Sequence, residues 1–121
     1  MEFADKQAIY LQIADKVCEF ILSGEWSDNE RIPSVREISV MMEVNPNTAN
    51  RAYDYLQSMG VIFNKRGIGY FVAENGLEMT KQLKRSRFLE EDVPRFFRDM
   101  QLLGLNCSEV EQIFKKSNNN Q

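Results

Sequence analysis

Residues 32–60 read IPSVREISVMMEVNPNTANRAYDYLQSMG, and this stretch contains two helix starts in close succession. At the first start, Ser34 precedes Glu37 at the spacing of a helix capping box. At the second, Asn45 is a favourable N-cap and Pro46 suits the first helical position. Two helices this close, joined by a short turn, predict a helix-turn-helix.

The two helices differ in predicted length. Helix two is short, from about Val35 to Glu43, whereas helix three begins near Pro46 and ends at Gly60, which suits a left-handed C-terminal cap. One face of helix three is apolar, as expected for a helix that packs on a core. The residues of that face are Ala49, Ala52, Tyr53, Leu56 and Met59.

An amphipathic helix precedes this motif and a β-hairpin follows it. Apolar residues at helical spacing predict helix one from about Lys6 or Ile9 to Ser23. The β-rich runs Val61–Asn64 and Tyr70–Val72 flank the basic, glycine-containing segment Lys65–Gly69. Because a hairpin with a basic tip follows the helix-turn-helix directly, the pattern predicts a winged helix.

Helical periodicity returns in the C-terminal part of the chain. After a break at Asn75-Gly76, apolar residues at helical spacing run from Leu77 to Leu103. Pro94 predicts either a fresh helix start or a kink near Asp92. The pattern therefore leaves open whether residues 77–103 form one kinked helix or two.

The chain ends in a further predicted helix and a polar tail. Ser108 and Glu111 predict a capping box for that helix, and residues 117–121 are predicted to be frayed and disordered. The predicted fold class is mainly α with a small β-hairpin. It comprises a winged helix-turn-helix domain over residues 1–75 and a C-terminal helical dimerisation segment over residues 76–121.

The composition excludes several classes of protein. The chain has no histidine, and Cys18 and Cys107 lie far apart, so the usual zinc ligands and the usual general base are missing. We expect both cysteines to be reduced, half-buried side chains. Ser34 and Ser108 lie close to carboxylates but are better explained as helix caps than as nucleophiles. We therefore expect no enzyme activity, no metal and no cofactor.

Hydropathy and charge narrow the choice of partner. No apolar run approaches the roughly 18 residues that a membrane helix needs, and no secretory signal opens the chain, so we expect a cytoplasmic protein without a membrane partner. The net charge is −3, but its distribution is uneven. Residues 1–30 carry two basic and seven acidic side chains, whereas residues 31–73 carry five basic and three acidic ones. The winged helix is thus the basic part of the chain.

Two surfaces of the predicted winged helix suit DNA. Recognition helices contact bases with their N-terminal residues, where asparagine pairs with adenine and arginine with guanine. In the hairpin, Lys65 and Arg66 supply charge, and Gly67 and Gly69 allow close approach to phosphate. Any solvated helix face is polar, so the combination of helix and hairpin carries the inference. The side chains opposite the apolar face of helix three are Asn47, Asn50, Arg51, Asp54 and Ser58.

Four strings within the first 73 residues resemble the N-terminal winged-helix domain of GntR-type bacterial transcription regulators. The match is specific in order and spacing, although the family usually has leucine where Ile32 stands. The four strings are Ile9–Ile13 (IYLQI), Ile32–Glu37 (IPSVRE), Val44–Tyr53 (VNPNTANRAY) and Arg66–Val72 (RGIGYFV).

This resemblance implies a set of DNA-contacting residues. It implies that Ser34 and Arg36 hold DNA phosphates, and that Arg66 with Gly67 forms the wing contact. Many family members carry arginine at the position of Asn50, so the arginine contact familiar there is absent from this chain. The residues implied for the major groove and its rim are Asn45, Asn47, Thr48, Asn50 and Arg51.

The C-terminal segment is similar to the YtrA subgroup, whose short helical tail dimerises. The residues agree, because this segment has more apolar surface than it can bury alone and must pack on the winged helix, on a second copy, or on both. The side chains expected in a dimer interface are Phe88, Leu89, Val93, Phe96, Phe97, Met100 and Leu103.

We therefore expect a bacterial transcription regulator, specifically a repressor that binds a palindromic operator in double-stranded DNA as a homodimer. The alternative is an effector-sensing regulator with a small-molecule pocket at the seam between the two copies.

Overall fold

A computed structural model describes residues 7–119, so the alternative helix start at Lys6 lies outside the described residues. The predicted class, mainly helical with one β-hairpin, is confirmed within that range. In chain order the elements are α1 (Ile9–Leu22), α2 (Val35–Met41), α3 (Pro46–Ser58), β1 (Ile62–Lys65), β2 (Gly69–Val72), α4 (Gly76–Arg87), a π-helical segment (Phe88–Asp92), α5 (Val93–Leu103) and α6 (Cys107–Asn119).

The chain forms two compact units that divide between Leu83 and Lys84. The first unit holds α1 to α3, the hairpin and the beginning of α4, and the second holds the remainder. The predicted boundary at residue 76 coincides with the first residue of α4. The N–H of Leu77 donates to Asp28 Oδ1 at 3.0 Å, so a residue distant in sequence caps α4 and fixes its start to the first unit.

The core of the first unit is built around Tyr53 of α3. Its hydroxyl donates to the carbonyl oxygen of Pro33 at 2.6 Å, and its ring meets that of Tyr70 edge to face at 4.9 Å between centroids. Burial raises the pKa of the Tyr53 phenol, so it stays a proton donor. The other core side chains include Ile13, Val17, Ile21, Ile38, Ala52, Leu56, Ile62 and Val72.

The turn between α2 and α3 is longer than the sequence pattern indicated. α2 ends at Met41 rather than near Glu43, because Glu43 has a φ of +54°, in the left-handed region that a right-handed helix excludes. The N–H of Val44 then donates to the carbonyl oxygen of Ser39 at 2.9 Å. α3 begins at Pro46 as predicted, so the helix-turn-helix is confirmed.

A short third segment, residues 29–32, extends the sheet beside β2. The N–H of Ile32 donates to the carbonyl oxygen of Tyr70 at 2.9 Å, and Arg31 forms an antiparallel bridge with Phe71. The sequence did not predict this pairing, because the segment is too short to show an alternating pattern. It anchors the wing to the chain that leads into α2.

Residues 77–103 form one helical run in which the π-helical segment joins α4 to α5. The N–H of Val93 donates to the carbonyl oxygen of Phe88, five residues earlier, as in a π-turn. In an uninterrupted α-helix the ring of Pro94 would collide with the carbonyl oxygen of Glu90. The wider turn accommodates Pro94, which settles the question that the pattern left open.

The start and end of α6 differ from the predictions. Asn106 Oδ1 accepts the N–H of Glu109 at 2.9 Å, and Glu109 Oε1 accepts the N–H of Asn106 at 3.3 Å. The predicted box at Ser108 is therefore wrong, because Asn106 offers an equally good cap closer to the turn at Gly104. Residues 117–119, predicted to be frayed, are helical, and residues 120–121 lie outside the described range.

We expect Gly76→Ala to lower the free energy of unfolding by about 1–3 kcal/mol, as overpacking does. An added Cβ would overlap Val72 Cγ1 and approach the carbonyl oxygen of Val61 to 3.0 Å. Glycine to alanine in an unhindered helix is stabilising, so the sign itself reports the overlap. Urea unfolding measures it, and Val72→Ala is the control because it removes the obstructing methyl. An equal cost in both backgrounds would contradict the explanation.

Candidate nucleic-acid interface

The beginning of α2 is held by the predicted capping box. The N–H of Glu37 donates to Ser34 Oγ at 3.0 Å, and the N–H of Ser34 donates to Glu37 Oε1 at 2.9 Å. The Ser34 hydroxyl acts as the acceptor in the bond from Glu37. Arg36, in the first turn of α2, is exposed.

Hydrogen bonding by Ser34 lowers the pKa of the Glu37 carboxyl from its ordinary value of 4.5. The backbone N–H of Ser34 is the largest cause, followed by the Ser34 side chain, and the charge of Arg31 acts in the same direction. A lowered pKa means that the box contributes stability above the ordinary glutamate pKa and loses it as the pH falls through the lowered one. The α2 start is therefore intact at neutral pH.

The N-terminus of α3 presents three asparagines in different states. Asn45 is the cap, and its Oδ1 accepts the N–H of Asn47 at 2.8 Å. Asn50 donates through Nδ2 to Asp54 Oδ2 at 3.4 Å. The side chain of Asn47 is exposed and has no hydrogen-bond partner within residues 7–119. Asn47 thus keeps both the donor and the acceptor that a two-pronged contact with adenine needs.

Arg51 lies against α1 as well as on the exposed side of α3. Its guanidinium carbon is 4.1 Å from the ring centroid of Tyr10, a cation–π contact. The Tyr10 ring in turn meets Tyr55 edge to face at 6.3 Å. Sequence reasoning placed Arg51 on the polar face but could not detect this contact, because Tyr10 is distant in the chain. The side chain stays exposed, at the rim of the helix rather than its centre.

The wing tip has the predicted basic turn. The N–H of Ile68 donates to the carbonyl oxygen of Lys65 at 2.9 Å, with Arg66 and Gly67 between them. Gly67 has a φ of +78° and open space where a Cβ would stand, so its backbone can be approached closely. We expected Gly69 to allow close approach of a phosphate. The guanidinium of Arg31 already lies where a Cβ of residue 69 would stand, so that space is occupied.

Among the described residues, the basic side chains of α2 and the wing take part in no salt bridge. The salt bridges present join residues three or four positions apart, as in Lys16 with Glu19 at 3.4 Å. Within residues 7–119 no salt bridge includes the basic side chains of residues 31–73, which are Arg31, Arg36, Arg51, Lys65 and Arg66.

The second unit exposes apolar side chains within one copy of the chain. Phe97, for example, is 52% exposed, whereas Met100 is only 7% exposed and therefore already buried. Val93 is half-buried. The remaining predicted interface residues are all exposed: Phe88, Leu89, Phe96, Phe97 and Leu103. Further exposed apolar residues that the predicted interface did not include are Leu102, Leu105, Ile113 and Phe114.

Among residues 7–119, no group of three or more potential metal ligands lies close enough to hold an ion, and no helix is long and apolar enough to cross a bilayer. Cys18 is buried and Cys107 is exposed, both as free thiols, so the expectation of two half-buried cysteines is wrong. The polar and basic surface of the winged helix is therefore the candidate site.

The winged-helix part of the sequence matches the model of a known protein family. The model described as bacterial regulatory proteins, gntR family, matches residues 9–72, from α1 through β2. The chain belongs to the gntR family. It is a DNA-binding transcription regulator and not an enzyme.

Two curated GntR relatives extend over most of the chain. YhcF of Bacillus subtilis (strain 168), an uncharacterized HTH-type transcriptional regulator, is 35% identical over 109 residues, which cover 90% of this chain and 88% of YhcF. YtrA of the same organism, an HTH-type transcriptional repressor, is 29% identical over 108 residues, covering 89% of this chain and 82% of YtrA. The predicted resemblance to YtrA-type regulators is confirmed.

Solved GntR structures have the same fold. A transcriptional regulator of this family from Bacteroides thetaiotaomicron shares 46% identity with a TM-score of 0.78, covering 94% of this chain and 99% of that one. The AraR DNA-binding domain in complex with the operator ORX1 shares 25% identity with a TM-score of 0.56, covering 60% of this chain and 87% of that domain.

We expect Ser34→Ala to raise the pKa of Glu37 towards 4.5 without fully restoring it. The substitution removes the side-chain hydrogen bond, whereas the backbone N–H at position 34 remains. An NMR titration of the Glu37 carboxyl measures the change. Ser58→Ala is the control, because the Ser58 hydroxyl bonds to Tyr55 and does not touch Glu37. A Glu37 titration unaffected by Ser34→Ala would show that the Ser34 side chain does not lower the Glu37 pKa.

Proposed function

We propose that the protein is a repressor that binds a palindromic operator as a homodimer, with residues 1–75 contacting DNA and residues 76–121 joining the two copies. The observation that carries the proposal is the exposed N-terminus of α3, where Asn47 keeps a free donor and acceptor. Repression is supported by the relative YtrA, which is named a repressor.

In this proposal Asn47 makes the principal base contact. The side-chain oxygen of Asn45 already accepts the cap hydrogen bond and the amide of Asn50 already donates to Asp54, so in each of them one arm of the two-pronged contact is engaged. Thr48 is half-buried and offers a hydroxyl and a methyl to the groove. The N-terminal end of α3 therefore enters the major groove, as recognition helices do.

Phosphate contacts surround that base contact. Ser34 and Arg36 approach the backbone from the start of α2, and Lys65, Arg66 and Gly67 approach it from the wing. These contacts position the protein without selecting a sequence. Arg51, stacked on Tyr10, lies at the rim of α3 and completes the set of proposed DNA contacts.

The exposed members of the predicted interface form the proposed dimer contact; they are Phe88, Leu89, Phe96, Phe97 and Leu103. Phe88, Phe96 and Phe97 are aromatic residues of the kind that dominate binding energy in interfaces. Because Met100 is buried within one chain, it supports this surface rather than contacting the second copy. Joining two winged helices makes the second half-site contact intramolecular, which raises avidity by about 10²- to 10⁴-fold.

A two-fold dimer requires a two-fold operator, because each winged helix then meets an equivalent half-site. The DNA target places the protein in the cytoplasm. An effector pocket at the seam between the copies is the alternative form of the same regulator, and it differs by making DNA affinity depend on a small molecule. Selection of binding sites from a random duplex pool tests the proposal directly. An inverted repeat is the expected product, whereas a single unrepeated half-site would contradict the dimeric operator.

We expect Arg36→Ala and Asn47→Ala to weaken binding in different ways. Arg36→Ala should lower affinity for all duplexes about equally, because it removes a phosphate contact. Asn47→Ala should cost about 1–3 kcal/mol at one base pair and relax the preference there. Affinity measurements on the selected site and on its single-base variants separate the two effects. An equal loss on specific and nonspecific DNA after Asn47→Ala would remove Asn47 from base recognition.

We expect Phe97→Glu to make the protein monomeric and to abolish tight operator binding, because it buries a charge in the proposed interface. Sedimentation velocity and DNA affinity measure both effects. Leu102→Glu is the matched control, since Leu102 is 84% exposed and lies on the opposite side of α5 at 100° per residue. A Phe97→Glu protein that still sediments as a dimer would place the interface elsewhere.

A further inference from the structure

Arg31 is fixed on the outer face of the three-stranded sheet. Side chains alternate between the faces of a strand, and the buried Ile62 and Val72 define the inner face. Phe63 and Phe71, which pair in register and stack at 5.5 Å, therefore lie on the outer face. Because Arg31 is bridged to Phe71, its side chain starts from the same outer face.

The absence of a side chain at Gly69 directs Arg31 towards the wing. The Arg31 Nε lies 3.1 Å from the position that a Cβ of residue 69 would occupy, and the rest of the guanidinium lies close by. Lys65 is paired with Gly69 in the hairpin, and its Nζ lies 5.2 Å from the centroid of the Phe71 ring. The cations of Arg31 and Lys65 thus lie on the same face of the hairpin, near the pair that closes its turn.

The charge of Arg31 is not neutralised by a neighbouring carboxylate. No salt bridge within residues 7–119 includes it, although the arginine side chain is exposed. Glu37, the nearby acid on which its charge acts, has its carboxylate engaged by the backbone of Ser34. An exposed guanidinium that lies beside Gly69 and has no carboxylate partner within the described residues can take a planar, two-pronged anion.

We infer that Arg31 binds a phosphate of the DNA backbone and that Gly69 positions it to do so. The inference rests on the proposed DNA-binding function and adds a contact outside both the recognition helix and the wing tip. Its ligand is a phosphate rather than a base, because the guanidinium lies against the sheet instead of projecting from a groove-binding element. Arg31 links the chain entering α2 to the wing, so a phosphate held there is contacted from the junction of both elements.

The test measures the salt dependence of binding to a mixed-sequence DNA duplex, so that no operator needs to be known. Each neutralised phosphate contributes about −0.9 to the slope of log K against log salt. We expect Arg31→Gln to make the slope shallower by about 0.9 per bound protomer. Arg31→Lys, which keeps the charge, should retain the slope. Lys16→Ala is the control, because it removes a cation that Glu19 already neutralises.

The outcomes separate this inference from the function on which it rests. An unchanged slope for Arg31→Gln, with wild-type protein binding the duplex, would overturn the role of Arg31 alone. Failure of the wild-type protein to bind duplex DNA at low salt would overturn the proposed function as well. Arg31→Met, which keeps the apolar stem against the sheet, replaces Arg31→Gln if thermal unfolding shows the latter to be destabilised.

Discussion

The hydroxyl of Tyr53 donates a short hydrogen bond to the carbonyl oxygen of Pro33, and the geometry of the DNA-binding face depends on it. Tyr53 belongs to α3, Pro33 precedes the capping box of α2, and the Tyr53 ring packs on Tyr70 of β2. One buried side chain therefore contacts the recognition helix, the start of α2 and the wing. A polar group this deeply buried is stabilising only when its partner is in place, so these three elements are held in a single arrangement.

A chain with a net negative charge can bind DNA, because only the charges close to each phosphate contribute appreciably to the interaction. At physiological salt the Debye length is about 8 Å, so acidic side chains beyond that distance contribute little at a phosphate. Arg36, Lys65 and Arg66 have no ion-pair partner within the described residues. Asp54 has the opposite effect, because it places a carboxylate on the exposed face of α3 beside Asn50. The carboxylate of Asp54 disfavours nonspecific binding to DNA, so more of the affinity must come from sequence-specific contacts.

Features that depend on neighbouring residues, such as helix caps, could be predicted from the sequence. Contacts between residues far apart in the chain could not. The caps at Ser34 and Asn45 depend on residues two or three positions away, so both were predicted from sequence. At α6 local spacing predicted a box at Ser108, whereas the structure has the cap at Asn106. The bridge of Arg31 to Phe71 and the stacking of Arg51 on Tyr10 join residues far apart in the chain. No periodic pattern encodes such contacts, so Arg31 was missing from the predicted site.

The π-helical segment has a consequence for how the C-terminal helices tolerate change in length. A π-turn holds one residue more than an α-turn, so it rotates every later side chain by about 100° about the helix axis. The extra residue in the segment Phe88–Asp92 therefore sets the direction in which the apolar stripe of α5 faces about the helix axis. A one-codon insertion or deletion in this segment would therefore turn the stripe around the axis rather than break the helix. Evolution could adjust the orientation of this surface in single-residue steps, with Pro94 restricting a return to uninterrupted α-helix.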